Sequence, residues 1–180
     1  MRRWSTLALS LVALCAMVGC ERCQSSRALQ VREARVELAA QSSLVVELDF
    51  APRAEVLDAL SHGVPLQIEF NLGGRDASNR VAFERHVLEL SYQPLVRQWQ
   101  LARLNNGPPR LFASQSQLLA AIDQVRLPLG ASWRLLSGSR EYSLRVRLPQ
   151  SSLPGPLRLP AWFSRTWRMD SGEVLWTSAA

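Results

Sequence analysis

The stretch RVAFERHVLELSYQPLVRQWQLARL, from Arg80 to Leu104, decides the fold. Leu88, Leu90 and Tyr92 alternate with Glu89 and Ser91; beyond Gln93 and Pro94, the residues Leu95, Trp99 and Leu101 alternate with Val96, Gln98, Gln100 and Ala102. Period-two runs on both sides of a Pro-containing turn predict two antiparallel strands, each with one buried face. Val81 and Phe83 stand in the opposite phase to Leu88. That slip predicts a β-bulge at Arg85, His86 and Val87, or else a short helical turn through Phe83, Val87 and Leu90. His86 falls on the irregularity, but with only His62 elsewhere it reads as a structural or surface imidazole.

Outward from this hairpin the same alternation recurs. Ala34, Val36 and Leu38 alternate with Arg35 and Glu37; after a turn at 41–43, Leu44, Val46, Leu48 and Phe50 alternate with Val45, Glu47 and Asp49. Pro52 opens a short helix with an apolar stripe at Val56, Leu57 and Leu60, and Gly63 is placed to stop it. Val64, Leu66, Ile68, Phe70 and Leu72 form the next strand, followed by a turn-rich loop over 71–79. Ser114 with Gln117 makes a capping box for a second helix carrying Leu118, Leu119, Ile122 and Val125, which Pro128 ends. Trp133 and Leu135 begin a strand that turns at 137–139 into Tyr142, Leu144, Val146 and Leu148. Pro154, Pro156 and Pro160 predict an extended link. Trp167 and Met169 then face Val174 and Trp176 in a last hairpin. The sum is a mainly β chain: an antiparallel β-sandwich of about eight strands with two short helices.

The N-terminus predicts export. Arg2 and Arg3 precede a mostly apolar run from Ser5 to Val18, of signal-peptide length and short of the about 20 residues that a membrane span needs. Met17, Val18, Gly19 and Cys20 resemble the lipobox of bacterial lipoproteins, with acylation at Cys20; the other reading is ordinary signal cleavage, with Cys20 and Cys23 free to pair. Glu21 after the Cys favours the outer membrane. The expected organisation is a signal peptide at 1–19, a tether at 20–28 and one β-sandwich domain over 29–180, periplasmic and lipid-anchored to the outer membrane through Cys20.

Composition bounds the rest. Apolar residues make up 47% of the 180, enough for a core, and all 21 cations are Arg. Residues 20–93 hold eight Arg against eleven acids, or −3, whereas 94–180 hold eleven against four, or +7. This asymmetry points either to an anionic partner or to two sheet faces of opposite sign. Arg145 and Arg147 should project from one side of a strand, about 6.5–7 Å apart. Arg97 and Arg103 are expected on the outer face of the central hairpin. Together Arg97, Arg103, Arg145 and Arg147 form a candidate face for an anionic partner, since Arg grips phosphate or carboxylate bidentately.

No catalytic motif is present. Ser137, Gly138 and Ser139 lack the frame of a nucleophile elbow, and Gly73, Gly74, Arg75 and Asp76 are not followed by the helix that a phosphate cradle requires. Cys20 and Cys23 find no further Cys pair or His for zinc. Glu47 and Asp49 lie together on the outward face of a strand. The expectation is a non-enzymatic protein without cofactor or metal. Export argues against nucleic acid, and Trp99, Trp133, Trp162, Trp167 and Trp176 read as core rather than as a stacking platform.

Several stretches resemble the domain of unknown function 4390 family of exported Gram-negative proteins, over about Val36 to Trp176. They are the run Leu57 to Leu66, Leu90-Ser91-Tyr92 with Arg97 to Leu101, the helix from Ser116 to Ile122, Arg145 to Leu148, and Ser164 to Met169. The chain departs from the family after Leu72, where an Arg- and Trp-rich run is common and Gly73-Gly74-Arg75-Asp76 stands here. The resemblance implies no activity and no catalytic residues. It implies an envelope setting, in which such genes often neighbour a membrane sensor kinase. The expected function is an interaction module that binds an envelope protein or the anionic membrane surface; the alternative is a carrier for a small hydrophobic ligand or lipid. Nothing in the sequence fixes the oligomeric state.

Overall fold

The computed structural model describes residues 28–38, 41–104, 107–138 and 140–178. The signal segment, Cys20 and Cys23 lie outside the described residues. In chain order the elements are β1 (Leu29–Glu37), β2 (Ser43–Phe50), α1 (Ala54–Ser61), β3 (Leu66–Asp76), β4 (Val81–Gln93), β5 (Gln98–Arg103) and β6 (Arg110–Phe112). Then come α2 (Gln115–Asp123), β7 (Gln124–Pro128), β8 (Arg140–Arg147), α3 (Gly155–Phe163) and β9 (Asp170–Ser178), with single 3-10 turns at Ala131–Leu135, Gln150–Ser152 and Arg165–Trp167.

The strands form two antiparallel sheets, one ordered β1-β2-β7 and the other β6-β5-β4-β3-β8-β9. Alternation fixes which side of each is dry. Leu44, Val46, Leu48 and Phe50 of β2 meet Leu66, Ile68, Phe70 and Leu72 of β3, Leu88 and Leu90 of β4, and Leu144 and Val146 of β8, all buried. Fully burying one such side chain contributes about 1.5–3 kcal/mol, and that apolar layer holds the sheets together. Strand β1 lies against β8 and β9 on one side of the sandwich. On the other side α2, capped by the Ser114 hydroxyl accepting from the Gln117 N–H, sends Leu118 and Ile122 into the gap between β2–β7 and β5–β6. Gly63 follows α1 at φ +86°, the left-handed stop that a side chain would resist.

The fold class is as expected, with nine strands and three α-helices among the described residues. Several boundaries differ, each for a physical reason. The bulge at Arg85–Val87 does not exist: β4 pairs with β3 without a break from Leu90 opposite Leu66 to Val81 opposite Arg75. The phase therefore runs straight through, so Val81 and Phe83 face water while Ala82, Glu84 and His86 face inward. Leu95 and Val96 belong to an exposed turn closed by Arg97 at φ +51°, not to the following strand. Strand β3 continues to Asp76 where a loop was expected, because Gly73 and Gly74 pair with both β4 and β8. Val125 lies on β7 rather than on the helix.

The expected strand at Trp133 and Leu135 is a 3-10 turn, drawn inward by a bond from the indole N–H to Glu84, and so β8 pairs with β3 and β9 instead. The Pro-rich link is α3, whose Pro156 sits in the first turn, where an N–H would have no intrahelical acceptor. Trp167 and Met169 precede β9 instead of pairing with it, so there is no terminal hairpin.

Candidate functional site

Straightening β4 places two ionisable groups inside the sandwich, where the sequence reading expected an irregularity. One carboxylate oxygen of Glu84 accepts from the Trp133 indole N–H at 3.1 Å and from the Gly130 N–H at 3.1 Å. The His86 ring is nine-tenths buried, hydrogen-bonds the backbone at Pro128 of β7, and leaves its Nε2 without a hydrogen bond, 3.9 Å from the other Glu84 oxygen. Burial lowers the His86 pKa, against the opposing pull of the Glu84 carboxylate. His86 thus ties the edge of β7 to the six-stranded sheet.

Arg103 performs a parallel task one strand over. It shares its phase with Trp99 and Leu101 and stands opposite the buried Leu88, so it points toward the three-stranded sheet and not, as expected, from the outer face of the hairpin. Its guanidinium donates to the Arg126 carbonyl of β7 at 2.7 Å. Beside it, between β5, β6, α2 and β7, opens a cleft of about 270 Å³ whose lining includes Leu88, Leu101, Arg103, Arg110, Val125 and Arg126. Arg97 lies apart from it, exposed in the β4–β5 turn at the far end of β5.

Arg145 and Arg147 do project from one side of β8, the outer face of the six-stranded sheet, and each holds a carboxylate. Arg145 pairs with Asp170, whose pKa is lowered chiefly by that hydrogen bond. Arg147 reaches Glu69 at 2.9 Å, and Arg85 reaches the same carboxylate at 2.8 Å. Burial pushes the Glu69 carboxyl up, but hydrogen bonds from Asn71 and Arg147, with the charges of Arg147 and Arg85, outweigh it and hold it below the usual value. The four arginines named from the sequence therefore occupy three separate places.

On this outer face one cross-strand row runs Phe83, Gly73, Ser143, Leu175, from β4 through β3 and β8 to β9. Glycine and serine make a low floor two strands wide. Phe83 at 64% exposure, Val81 at 67% and Leu175 at 73% wall it on both sides. The trough runs along the strands from Arg75 and Glu141 at one end to Asn71, Arg145 and Arg147 at the other. Sequence reasoning missed it because it put Val81 and Phe83 in the core. The signal available was Gly73-Gly74 within a strand, which marks a close approach or a missing wall.

Among the described residues no group of three or more His, Cys, Asp or Glu is arranged to hold a metal ion, and no helix is long and apolar enough to cross a membrane, which says nothing of strands. The protein is a two-sheet antiparallel β-sandwich with a trough on its larger sheet, walled by apolar side chains and ended by charged ones, and an arginine-lined cleft at the seam between the sheets. It belongs to the family described as Domain of unknown function (DUF4390), whose model matches residues 26–177. No curated protein and no solved structure matches the chain.

Proposed function

We propose that this chain is an exported, non-enzymatic interaction module of the cell envelope, which takes an amphipathic helix of a protein partner in the outer trough of the six-stranded sheet. The observation that carries the reading is the row of exposed Phe83, Val81 and Leu175 around a Gly73–Ser143 floor. Large apolar side chains gathered on one face of a domain mark an interaction surface, whereas scattered ones need no explanation. The walls stand three strand spacings apart, about 14 Å, and a helix with its side chains is about 10–12 Å across. Arg145 and Arg147, half exposed and already oriented by Asp170 and Glu69, supply the polar rim that such interfaces carry. Export is part of the same reading and rests on the basic, apolar start and on Cys20.

A photo-crosslinking side chain at position 83 in the native host tests it. One discrete protein adduct should form, and Leu175→Glu in the same chain should abolish it. A probe at the fully exposed Leu95, outside the trough, should give none. Adducts at both positions alike, or an adduct indifferent to Leu175→Glu, would overturn the docking site. In the same cells Cys20→Ser should lose incorporation of a fatty-acid label, and absence of label from the parent chain would remove the lipid anchor.

A further inference from the structure

We infer that the cleft at the seam of the two sheets is a binding site for a phosphate monoester. Elsewhere in the fold Arg32, Arg35, Arg85, Arg126, Arg145 and Arg147 each close on a carboxylate, while Arg80, Arg140 and Arg158 donate to backbone carbonyls. Arg103 and Arg110 are likewise held by neutral groups: Arg103 by the Arg126 carbonyl, and Arg110 by stacking 5.2 Å over the Phe112 ring. Among the described residues neither is ion-paired. Each has a neutral contact that orients it, and its charge remains available.

Strand pairing brings the two together. Arg110 of β6 stands opposite Leu101 of β5, and Arg103 lies two residues further along β5 on the same face. Diagonal neighbours of this kind are about 7–8 Å apart along the backbone, within reach of long side chains for a common target. Both arginines line the same cleft, and two cations there favour an anion between them. Among the described residues no acidic side chain lines the cleft, and Gln124 is one of its lining residues. Arg126 on the opposite wall spends its charge on Glu37 at 2.7 Å.

The uncompensated charge is therefore two, which matches the about −1.5 to −2 of a phosphate monoester at neutral pH. A carboxylate would neutralise only half of it. Arg presents parallel N–H pairs that fit phosphate oxygens, while Leu88, Leu101 and Val125 offer an apolar floor for the carbon group that carries the ester. Such a group could come from a soluble phosphorylated molecule or from a lipid head; the recognised chemistry is the same. The cleft opens on the opposite side of the sheet from the trough, so the two sites stand or fall separately.

Calorimetry at low salt with inorganic phosphate and with hexyl phosphate tests the inference, alongside flotation of the Cys20→Ser chain, which lacks the proposed anchor, with phosphatidylcholine vesicles with and without phosphatidic acid. Hexyl phosphate should bind more tightly than inorganic phosphate. Arg110→Gln, on an exposed strand where folding is not at stake, should weaken binding at least about tenfold, which is about 1.4 kcal/mol, and Arg103→Lys less. Arg97→Gln removes the same charge from a remote turn and should leave affinity unchanged. Tight binding of hexyl phosphate identifies a soluble ligand, and Arg110-dependent flotation only with phosphatidic acid identifies a lipid head. Absence of both, or equal loss in Arg97→Gln, overturns the site.

Discussion

A methyl group added at Gly74 would land 2.6 Å from Cζ3 and 3.1 Å from Cη2 of Trp133, and 3.2 Å from Cδ1 of Leu136. Carbon atoms prefer about 3.5–4.0 Å, so Gly74→Ala requires the indole to retreat by about 1 Å. It has little freedom to do so. The ring is fully buried, stacks against Tyr142 at 6.3 Å, and holds the Glu84 carboxylate at 3.1 Å. A shift of that size in the ring disturbs the Glu84 bond at its other end. Overpacking costs about 1–3 kcal/mol, and weakening a bond to the partly buried Glu84 carboxylate adds about 1 more.

A total of about 2–4 kcal/mol is a large share of the about 5–15 kcal/mol that stabilises a domain, and lowers Tm by about 5–15 °C. Urea denaturation followed by circular dichroism and Trp fluorescence reads it. Gly73→Ala is the control on the other face of the same strand. Its one close contact is the Ser143 hydroxyl at 2.8 Å, which can rotate away, while the Ser143 carbonyl at 4.0 Å is ordinary contact, so the loss should stay below about 1 kcal/mol. Trp133→Phe removes the clashing ring atoms, so Gly74→Ala with Trp133→Phe should lose about 1–2 kcal/mol less than the sum of the single changes. A Gly74→Ala protein as stable as the parent, or strictly additive losses, would refute the packing argument.

Two further outcomes follow from the charged groups. Arg147→Met leaves the buried Glu69 carboxylate one partner short, with Arg85 and Asn71 remaining, and should cost about 1–3 kcal/mol by chemical denaturation. Arg145→Met frees only the more exposed Asp170 and should be barely detectable, so equal losses would show that Glu69 is not energetically buried. His86 sets a pH dependence: its folded-state pKa is depressed, so below about 6.5 the unfolded chain binds a proton that the fold resists. Stability should be flat above neutral pH and fall on acidification toward the folded-state pKa, by at most about 1.4 kcal/mol per pH unit. His86→Gln should flatten that slope in the mildly acidic range, above the carboxylate transitions, and an unchanged slope would remove His86 as its source.

Where alternation alone decides burial, the sequence was legible. Leu44 to Phe50, Leu66 to Leu72 and Tyr142 to Val146 lie on the faces that their period-two pattern requires, and the Ser114 cap and the Gly63 stop are where their chemistry places them. The reading failed where a tertiary contact outweighs local hydropathy. Val81 and Phe83 look like core, but their strand is held in register by Glu84 and His86, whose partners Trp133, Gly130 and Pro128 lie more than forty positions away. Trp133 looks like a strand residue for the same reason. Pro154, Pro156 and Pro160 predicted extension because local rules speak against helix there, yet α3 forms. The candidate site was half legible: Arg145 and Arg147 share a face as expected, but no single-strand pattern could tell that Arg103 would meet Arg126 or that Arg110 would stand beside it.

The position of β3 has a consequence for how the chain is made. One side of it is covered by β4, which follows almost immediately, whereas the other side waits for β8, more than sixty residues later. Until Arg140 to Arg147 have emerged, Glu69 to Asp76 present an open row of amides and carbonyls at the middle of the future sheet, the kind of edge that recruits other chains. The residues on that edge fit the interval. Gly73 and Gly74 offer little for a stray strand to pack against, and the Glu69 charge discourages pairing. Asp76 already folds the chain end back on itself by accepting from the N–H groups of Ser78 and Arg80. A nascent chain cut short before β8 would carry this edge uncovered, and association between unfinished copies, rather than slow collapse of the core, is the hazard that its biogenesis has to meet.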